Sequence, residues 1–455
     1  MNATNKNLEI RDTPNRPVHS AVSNDNMPYE IAFWMCVVAF ILLAVYVKIT
    51  EALELHWIFV IYSVAVASLI VSRYVFFMLE KPTLLPKNTY FPTLHAIIPC
   101  LNESKRVYST VKSIFKSNYP KDKIKVTVVD DGSTDDSPIW LAKSNKEFGC
   151  EIISLEKNVG KRKAIQIAME NNKSEISVLV DSDVKLSKNG LREIVRGFSS
   201  EEIAIVCGNT GVSNANSNLL TRMQELYYYL SYGLFRSAES YFKTVVCCTG
   251  SFSAYRTEVL KEVATDSWVN HKFLGKTRTF GDDRSLTRLV LSKGYDTVYQ
   301  PNANASTVVP DTLFTFINQQ SRWRRGYLFE AIMASTHMWK RPFGAVVLFY
   351  LSLLLILMGP VVLIYCLVLS TLLVGTMPTG YVTAILAISI LHQVFFSIFK
   401  EANVLKIGAL TLMPAIPFWV FTTIILIPLA IFTLRQNNWI NRNSNIKKEI
   451  SIRGS

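Results

Sequence analysis

The sequence predicts an α/β domain with a mostly parallel β-sheet and helices on both faces, flanked on both sides by transmembrane helices. Three observations lead to this prediction. Long apolar segments lie near both ends of the 455-residue chain. Between them, strand-like apolar runs alternate with segments of helical period. Acidic residues follow two of these runs, where the ligand sites of parallel sheets lie.

The N-terminal region is polar over residues 1–28 and apolar after that. The apolar segments 29–49 and 58–79 are each long enough to cross a hydrocarbon core of about 30 Å. Because the link between them is short, the sequence predicts a two-helix transmembrane hairpin over residues 29–80. The first segment is too long and begins too late for a cleavable signal peptide.

The central region, residues 81–323, has the alternation expected of a parallel sheet. Four runs resemble strands: 95–99, 126–130, 176–181 and 203–207. Segments of helical period lie between them at 107–117 and 163–171. Ligands in such sheets bind beyond the carboxyl ends of the strands, so we expect the functional site at that edge.

The C-terminal region predicts a return to the membrane. Residues 324–342 combine cations with aromatic and aliphatic side chains, which is typical of an amphipathic helix lying on a membrane surface. Three apolar blocks then fill residues 343–434: 343–375, 381–399 and 405–434. The basic tail at 435–455 favours a cytosolic C-terminus. An even number of crossings is then required after residue 342; two and four both remain open, and we favour four.

Composition limits the class of protein. The net charge is +13, but no basic run is dense enough to indicate nucleic-acid binding, so we assign these cations to the flanks of the apolar spans. The seven cysteines have no metal-ligand spacing and are expected to be reduced. Arg73 lies inside the second apolar segment. It is either a functional contact within the membrane or a long side chain that reaches towards its surface.

Two acidic motifs follow predicted strands: Asp130 with Asp131, and Asp181 with Asp183. Carboxylates in this position can hold a nucleotide, and together with a diphosphate they can hold Mg²⁺ or Mn²⁺. Either motif alone could be a surface turn, because Asp-Gly is a common turn sequence. Their presence at two strand ends of one domain favours a shared nucleotide and metal site.

Two further motifs carry possible catalytic groups. Lys161 and Arg162 follow a glycine that permits close backbone approach, so these two cations could neutralise a diphosphate; the alternative is a solvated turn at the start of a helix. In the Gly-Asp-Asp-Arg sequence at 281–284, Asp283 could take a proton from an acceptor hydroxyl. The alternative is that Asp282 and Asp283 cap a helix.

The sequence at 319–323 could hold a sugar. On a helix, Gln319 would lie near Arg322 and on the same face as Trp323. A tryptophan ring suits the apolar face of a sugar, and the arginine could balance a leaving diphosphate. The alternative is an anchor of arginine and tryptophan at a membrane surface.

In this order, the motifs Asp-Asp-Gly-Ser, Asp-x-Asp, Gly-Asp-Asp-Arg and Gln-x-x-Arg-Trp resemble those of inverting family 2 glycosyltransferases of the processive, membrane-embedded kind. The sequence is most similar to hyaluronan synthases and nodulation chitooligosaccharide synthases, on residues 248–256, 272–275, 279–287 and 319–323. The resemblance covers about residues 93–340. It implies a GT-A fold, a UDP-sugar donor and Mg²⁺ or Mn²⁺.

The resemblance also implies a role for each motif residue. Five residues would bind the nucleotide: Asp130, Asp131, Lys161, Asp181 and Arg322. Two would hold the metal: Asp181 and Asp183. Two would form the catalytic pair, with the first as the base: Asp283 and Asp282. Five would bind the acceptor: Gln319, Arg322, Trp323, Gly250 and Ser251.

Departures from the family pattern leave the polymer open. Ser251 stands where hyaluronan synthases usually have proline, Ser285 where they have histidine, and Arg278 where cysteine is common. Residues 439–442 match only part of a Trp-Gly-Thr-Arg element of such synthases. We expect an inverting synthase in a bacterial inner membrane, with a cytosolic catalytic domain and cytosolic termini. It would extend and export hyaluronan, a chitooligosaccharide or another capsule or exopolysaccharide.

Its expected partners are UDP-sugars, the growing polysaccharide and the lipid bilayer, without nucleic acid. A non-processive transferase that uses a lipid-linked acceptor is the alternative. The donor sugars, their number, the linkage, the chain length and the oligomeric state are not encoded in any pattern that we recognise.

Overall fold

The structure is a computed structural model, and the residues that it describes are 27–51, 57–86, 90–273, 276–277, 280–369, 372, 375, 379–401 and 414–434. The predictions for the basic tail at 435–455, for the element at 439–442 and for nearly all of the polar tail at 1–28 lie outside the described residues.

A mixed sheet of eight strands forms the centre of the soluble domain, in the order β3-β2-β1-β4-β7-β6-β10-β5. The ten strands are β1 Leu94–Cys100, β2 Ile124–Asp130, β3 Glu151–Ser154, β4 Ile176–Val180, β5 Lys185–Leu186, β6 Ile203–Val212, β7 Phe252–Arg256, β8 Lys272–Phe273, β9 Lys276–Thr277 and β10 Asp296–Thr307. Four of the seven pairings in the sheet are parallel and the three others, two of which involve β7, are antiparallel. All four strands that the sequence predicts are present.

Fifteen α-helices lie in the part of the chain that the structure describes. They are α1 Met27–Glu51, α2 Trp57–Leu79, α3 Lys105–Phe115, α4 Ser137–Phe148, α5 Lys161–Met169, α6 Gly190–Val195, α7 Leu219–Tyr229, α8 Arg236–Ser240, α9 Thr257–Val263, α10 Asp266–Val269, α11 Asp282–Ser292, α12 Leu313–Ser335, α13 Phe343–Ile364, α14 Thr379–Phe396 and α15 Ala415–Phe432. A π-helical turn, Leu230–Phe235, joins α7 to α8.

Two apolar layers cover the two faces of the sheet. Because successive strand residues point to opposite faces, Ile98 packs with α3, α4 and α6, whereas its neighbour Ile97 packs with α5, α9 and α11. Strands β1 and β2 pair in parallel along their full length, with Cys100 opposite Asp130, so both strands end at the same edge of the sheet. This arrangement places the residues that follow the strands along one edge.

Four described helical segments are long and apolar enough to cross a membrane: Val60–Leu79, Phe343–Ile364, Val382–Phe399 and Ala415–Phe432. They bear out the prediction of apolar helices on both sides of the domain. Helix α1, the predicted first span, packs on α2 and α14 through a buried aromatic cluster that includes Phe33, Tyr74 and Phe395. The number of crossings after residue 342 stays a prediction, because residues 402–413 lie outside the described part.

Helix α12 differs from the predicted division at residue 324. It runs unbroken from Leu313 to Ser335, so the Gln319–Trp323 motif and the expected surface helix share one element. Arg325, which the sequence suggests is an interfacial cation, is buried, and its guanidinium lies 5.5 Å from the centre of the Phe280 ring. Amphipathic spacing marks the buried face of a helix but not where the helix begins, so the boundary between the catalytic unit and a surface helix stays a prediction.

Candidate active site

One cavity of about 1210 Å³ lies between the carboxyl edge of the sheet and the apolar helices. Its lining includes almost all of the candidate residues: Asp131, Lys161, Asp181, Asp183, Gly250, Ser251, Asp282, Asp283, Gln319, Arg322 and Trp323. Motifs separated by up to about two hundred residues of sequence thus meet in one place. The exception is Asp130, whose buried carboxylate accepts a hydrogen bond from Ser133 N at 3.0 Å and is absent from the lining.

Asp131 holds the loop that precedes α5. Its carboxylate oxygens accept hydrogen bonds from Val159 N at 2.6 Å and from Gly160 N at 2.9 Å. Burial raises the pKa of Asp131, and these two backbone donors oppose that rise. The carboxylate therefore fixes the backbone immediately before Lys161, besides facing the cavity.

Lys161 and Asp181 form an ion pair, with 2.5 Å between Lys161 Nζ and Asp181 Oδ1. Burial opposes the lysine charge, but the neighbouring carboxylates of Asp181, Asp282 and Asp283 outweigh it and raise the pKa of Lys161. A Cβ atom at Gly250 would lie 2.9 Å from Lys161 Nζ, so a residue without a side chain lets this loop reach the pair. The result is a permanently charged ammonium group in the cavity wall.

Asp181, the acidic member of this pair, and Asp183 both line the cavity. Thr307 Oγ1 donates a hydrogen bond of 3.4 Å to Asp183 Oδ2. Within the described residues no cluster of three or more acidic, histidine or cysteine side chains could hold a metal ion by itself. Two carboxylates nevertheless fit a cation such as Mg²⁺, which is often held by one or two carboxylates together with substrate phosphates.

The two acidic residues at the start of α11 have different surroundings. Asp282 Oδ1 is 2.8 Å from Arg162 Nε, and both side chains are largely buried. Arg162 also donates to the carbonyl oxygens of Trp268 and Phe280. The carboxylate of Asp283 accepts a hydrogen bond from the backbone N–H of Arg284 at 2.8 Å and faces the cavity. Both residues line the cavity, but Arg162 already pairs with the carboxylate of Asp282, so Asp283 is the better placed of the two to meet a ligand.

The side chains of α12 form the opposite wall. The ring of Trp323 lies 6.3 Å from that of Tyr228, which stacks on Tyr232 at 5.9 Å. Gln319 Oε1 is buried and has no hydrogen-bond partner in the part of the chain that the structure describes. A buried acceptor without a partner is costly, so a donor group on a ligand would stabilise this wall.

The comparisons with known proteins agree with this geometry. The model of "Glycosyltransferase like family 2" matches residues 92–326, which include the motifs from Asp130 to Trp323. The chain belongs to this family. This membership and the mixed sheet bear out the recognition and the GT-A-type fold that the sequence predicts.

Two curated relatives of this family 2 glycosyltransferase illustrate the similarity. An N-acetylglucosaminyltransferase of Neorhizobium galegae is 34% identical over 247 residues, which are 53% of this chain and 56% of the relative. A hyaluronan synthase of Streptococcus pyogenes is 33% identical over 257 residues, or 55% of this chain and 60% of the relative. The chain thus spans just over half the length of these relatives.

A solved structure supports the fold of this glycosyltransferase. The mannosyltransferase PcManGT from Pyrobaculum calidifontis, solved in complex with GDP-Man and Mn²⁺, superposes with a TM-score of 0.57. The alignment covers 84% of this chain and 99% of that one at 18% identity. At this identity the likeness concerns the fold alone.

The sequence marks Arg162 together with Lys161 as a cation for the diphosphate, and the structure pairs Arg162 with Asp282. Sequence reasoning missed two aromatic residues of this family 2 site. Tyr228 supplies the ring next to Trp323, and the run of three consecutive tyrosines that contains it was a visible signal. Tyr232 had no signal in the sequence, because its position depends on the π-helical turn.

Arg73 also reaches the cavity from α2. It donates a hydrogen bond of 3.0 Å to Ser352 Oγ, and its guanidinium lies 4.0 Å from the centre of the Phe235 ring. It belongs to the cavity lining. This placement favours a contact with the contents of the cavity over the alternative that the side chain reaches towards the membrane surface.

Proposed function

We propose that the chain is an inverting polysaccharide synthase that transfers sugars from UDP-sugars to a growing β-linked glycan and passes the product through its own apolar helices. One observation carries this proposal. The cavity that contains Asp283 and Trp323 is also lined by Leu355 of α13, His392 of α14 and Thr423 of α15. A transferase that releases a short, soluble product has no need for a site that continues between membrane helices.

The first two acidic motifs and Lys161 bind the UDP-sugar donor. Asp131 fixes the loop beside the nucleotide, and the ammonium group of Lys161 neutralises part of the diphosphate. Asp130 contributes by shaping the turn through its hydrogen bond to Ser133. Asp181 and Asp183 would hold Mg²⁺ or Mn²⁺ together with diphosphate oxygens, and the cation, when bound, neutralises charge on the departing UDP.

Residues of α11 and α12 bind and activate the acceptor. Asp283 takes the proton from the acceptor hydroxyl, which then attacks the anomeric carbon in line with the leaving UDP. Attack from the side opposite the leaving group inverts the configuration without a covalent intermediate. Trp323 supports the acceptor ring, Gln319 accepts one of its hydrogen bonds, Gly250 and Ser251 close the far side, and Arg322 faces the diphosphate.

The membrane placement follows from the same chemistry. UDP-sugars are cytosolic, so the catalytic domain faces the cytosol, and both termini lie on that side. We propose the inner membrane of a bacterium as the location. The domain boundaries that we propose are those predicted from the sequence, with the end of the catalytic unit moved from 323 to the end of α12.

The test is to reconstitute the purified protein in lipid vesicles and supply single and paired UDP-sugars. We expect a polymer that sediments with the vesicles, grows to many units and is degraded by one class of polymer-specific hydrolase. The hydrolase that degrades the product also identifies the polymer. The N-acetylglucosaminyltransferase relatives favour a chitooligosaccharide product as the second candidate. Addition of a single sugar to a lipid would contradict the synthase proposal and support the non-processive alternative.

A further inference from the structure

Four hydroxyl groups meet at one end of the cavity, and we name them the hydroxyl cluster: Thr210 of β6, Tyr232 of the π-helical turn, and Thr249 and Ser251 just before β7. Ser251 Oγ lies 2.9 Å from Thr210 Oγ1, 2.9 Å from Thr249 Oγ1 and 3.1 Å from Tyr232 OH. Tyr232 OH is 3.0 Å from Thr249 Oγ1. Ser251 thus contacts all three other members.

The hydroxyl cluster lies between the two halves of the proposed site. Gly250, between Thr249 and Ser251, packs against the ion pair of Lys161 and Asp181, where the diphosphate is expected. On the other side, Tyr232 connects through the Tyr228 ring to Trp323 of the acceptor wall. A sugar bridging the diphosphate and the acceptor would lie against these hydroxyls.

The ring of Tyr232 is held rigidly. The guanidinium of Arg236 lies 3.8 Å from its centre, and Arg236 Nε donates to Cys247 O at 3.0 Å. Burial raises the pKa of Tyr232, so the phenol keeps its proton at neutral pH. The hydroxyl is therefore a neutral group at a fixed position.

The hydroxyl cluster has hydrogen-bond acceptors to spare but no free donor. Each hydroxyl has one proton to donate and two lone pairs that accept. The four contacts within the cluster use one proton each, so all four protons are engaged. Ser251 donates one hydrogen bond and accepts two, which uses both of its lone pairs, whereas Thr249 and Tyr232 each keep a lone pair. Thr249 and Tyr232 thus offer hydrogen-bond acceptors to the cavity that they line.

We propose that the hydroxyl cluster is a sugar subsite that accepts hydrogen bonds from a ring hydroxyl or an amide N–H and discriminates against a carboxylate. This inference rests on the proposed function, because it presupposes a UDP-sugar in the cavity. A carboxylate only accepts hydrogen bonds, so it would have to break a contact within the cluster to gain a donor. Ser251 is the central member, and proline, usual at this position in hyaluronan synthases, has no hydroxyl.

The experiment compares two donors that differ at one carbon. UDP-glucose carries a hydroxymethyl group at C6, and UDP-glucuronate carries a carboxylate there. UDP-N-acetylglucosamine adds an amide N–H at C2. With full-length protein in lipid vesicles, kcat and KM of UDP release are measured for each donor. We expect the KM of both neutral donors to be at least about tenfold below that of UDP-glucuronate.

Two variants test the role of the cluster itself. Ser251→Ala removes the central hydroxyl, and Tyr232→Phe removes one hydroxyl while keeping the ring. Tyr232→Phe should raise the KM of the neutral donors by roughly three- to tenfold, the effect of one hydrogen bond. Ser251→Ala frees the proton of Thr249, so it should narrow the difference in KM between UDP-glucose and UDP-glucuronate. Both variants should leave the affinity for UDP within about twofold. Ser144→Ala deletes a buried hydroxyl of α4 that donates to Trp140 O, away from the cavity, and should change neither quantity.

Two results would overturn the subsite. The first is a wild-type KM for UDP-glucuronate equal to or below that for UDP-glucose. The second is an equal loss of affinity for UDP and for all donors in Ser251→Ala and Tyr232→Phe, which would assign the cluster to the scaffold. Failure of the wild-type protein to bind UDP is a separate result. It would overturn the proposed function, and the subsite with it.

Discussion

Arg288 Nε of α11 lies 2.7 Å from Glu330 Oε2 of α12, and both side chains are almost fully buried. This ion pair joins the helix that carries Asp283 to the helix that carries Trp323. The two helices that carry the proposed base and the proposed sugar platform are thus tied about one to two turns away from these residues. Removing one partner leaves the other charge buried without compensation.

We expect Glu330→Gln to destabilise the domain by about 3 kcal/mol or more and to lower transfer activity in parallel. Thermal unfolding and UDP release measure the two effects. Replacing both partners, as in Arg288→Met with Glu330→Leu, should recover much of the stability, because no unpaired charge remains. If the double variant is no more stable than Glu330→Gln, the unpaired charge is not the cause of the lost stability.

Asp283→Asn should abolish transfer, by about a hundredfold or more, and leave UDP binding intact, because only the proton acceptor is lost. Sugar transfer and UDP affinity are measured on the same preparation. The asparagine has the same shape, so a folding defect is not expected. Activity within tenfold of wild type would contradict the role of base.

Asp282→Asn should act differently from its neighbour. It removes the charge that pairs with buried Arg162, so we expect a loss of stability of about 3–5 kcal/mol. The matched control is Glu201→Gln, because Glu201 pairs with Arg256 at 3.3 Å while its side chain is 91% exposed. An exposed pair contributes about 0–1 kcal/mol, so this variant should unfold at nearly the wild-type temperature. Equal unfolding temperatures for the two variants would contradict the scaffold role of Asp282.

Chelation by EDTA should stop sugar transfer, and added Mg²⁺ or Mn²⁺ should restore it, since Asp181 and Asp183 suit a hard cation shared with diphosphate. Asp183→Asn should raise the concentration of cation that gives half-maximal activity. Binding of Mn²⁺ in the presence of UDP can be monitored by the electron paramagnetic resonance of the ion, which provides a readout independent of turnover. Full turnover in EDTA would reject the metal site.

Trp323→Ala should impair chain elongation more than hydrolysis of the donor, because the ring supports the acceptor and not UDP. Product length and UDP release in the absence of acceptor separate the two activities. Trp140→Ala on α4, where the indole donates to Asp136, controls for the loss of a large aromatic side chain. Parallel loss of elongation and hydrolysis would mean that Trp323 supports the fold.

The sequence predicted the strands with a clear apolar run, β1, β2, β4 and β6, and it missed the strands that are short or polar. Strand β10 reads Asp-Thr-Val-Tyr-Gln-Pro-Asn-Ala-Asn-Ala-Ser-Thr, which has too many polar residues for a buried run. Strand β7 is short and antiparallel to both neighbours, so it breaks the pattern of alternating strands and helices. Pairing across the sheet, which no local pattern encodes, decides both.

The sequence identified cavity-lining residues where a local motif marks them, as at Asp181 and Asp283. The site was not predictable where long-range packing chooses the partner. Asp130 and Asp131 are adjacent in sequence, but only Asp131 lines the cavity, because the chain turns at the end of β2. Ser251 contacts Thr210 and Tyr232 because of the positions of β6 and the π-helical turn. No spacing in the sequence predicts these contacts.

The approach of α11 to α12 has a consequence for the size of the sugar unit. A Cβ atom built at Gly281 would lie 3.5 Å from Gly326 Cα, an ordinary van der Waals contact, so the backbones approach there with room for little more than a methyl group. Gly281 is two residues from Asp283, and Gly326 is three residues from Trp323. The spacing between the Asp283 carboxylate and the Trp323 indole therefore depends on two positions without side chains. A residue larger than alanine at either glycine would push α12 away from the start of α11 and would widen the cavity between these two side chains.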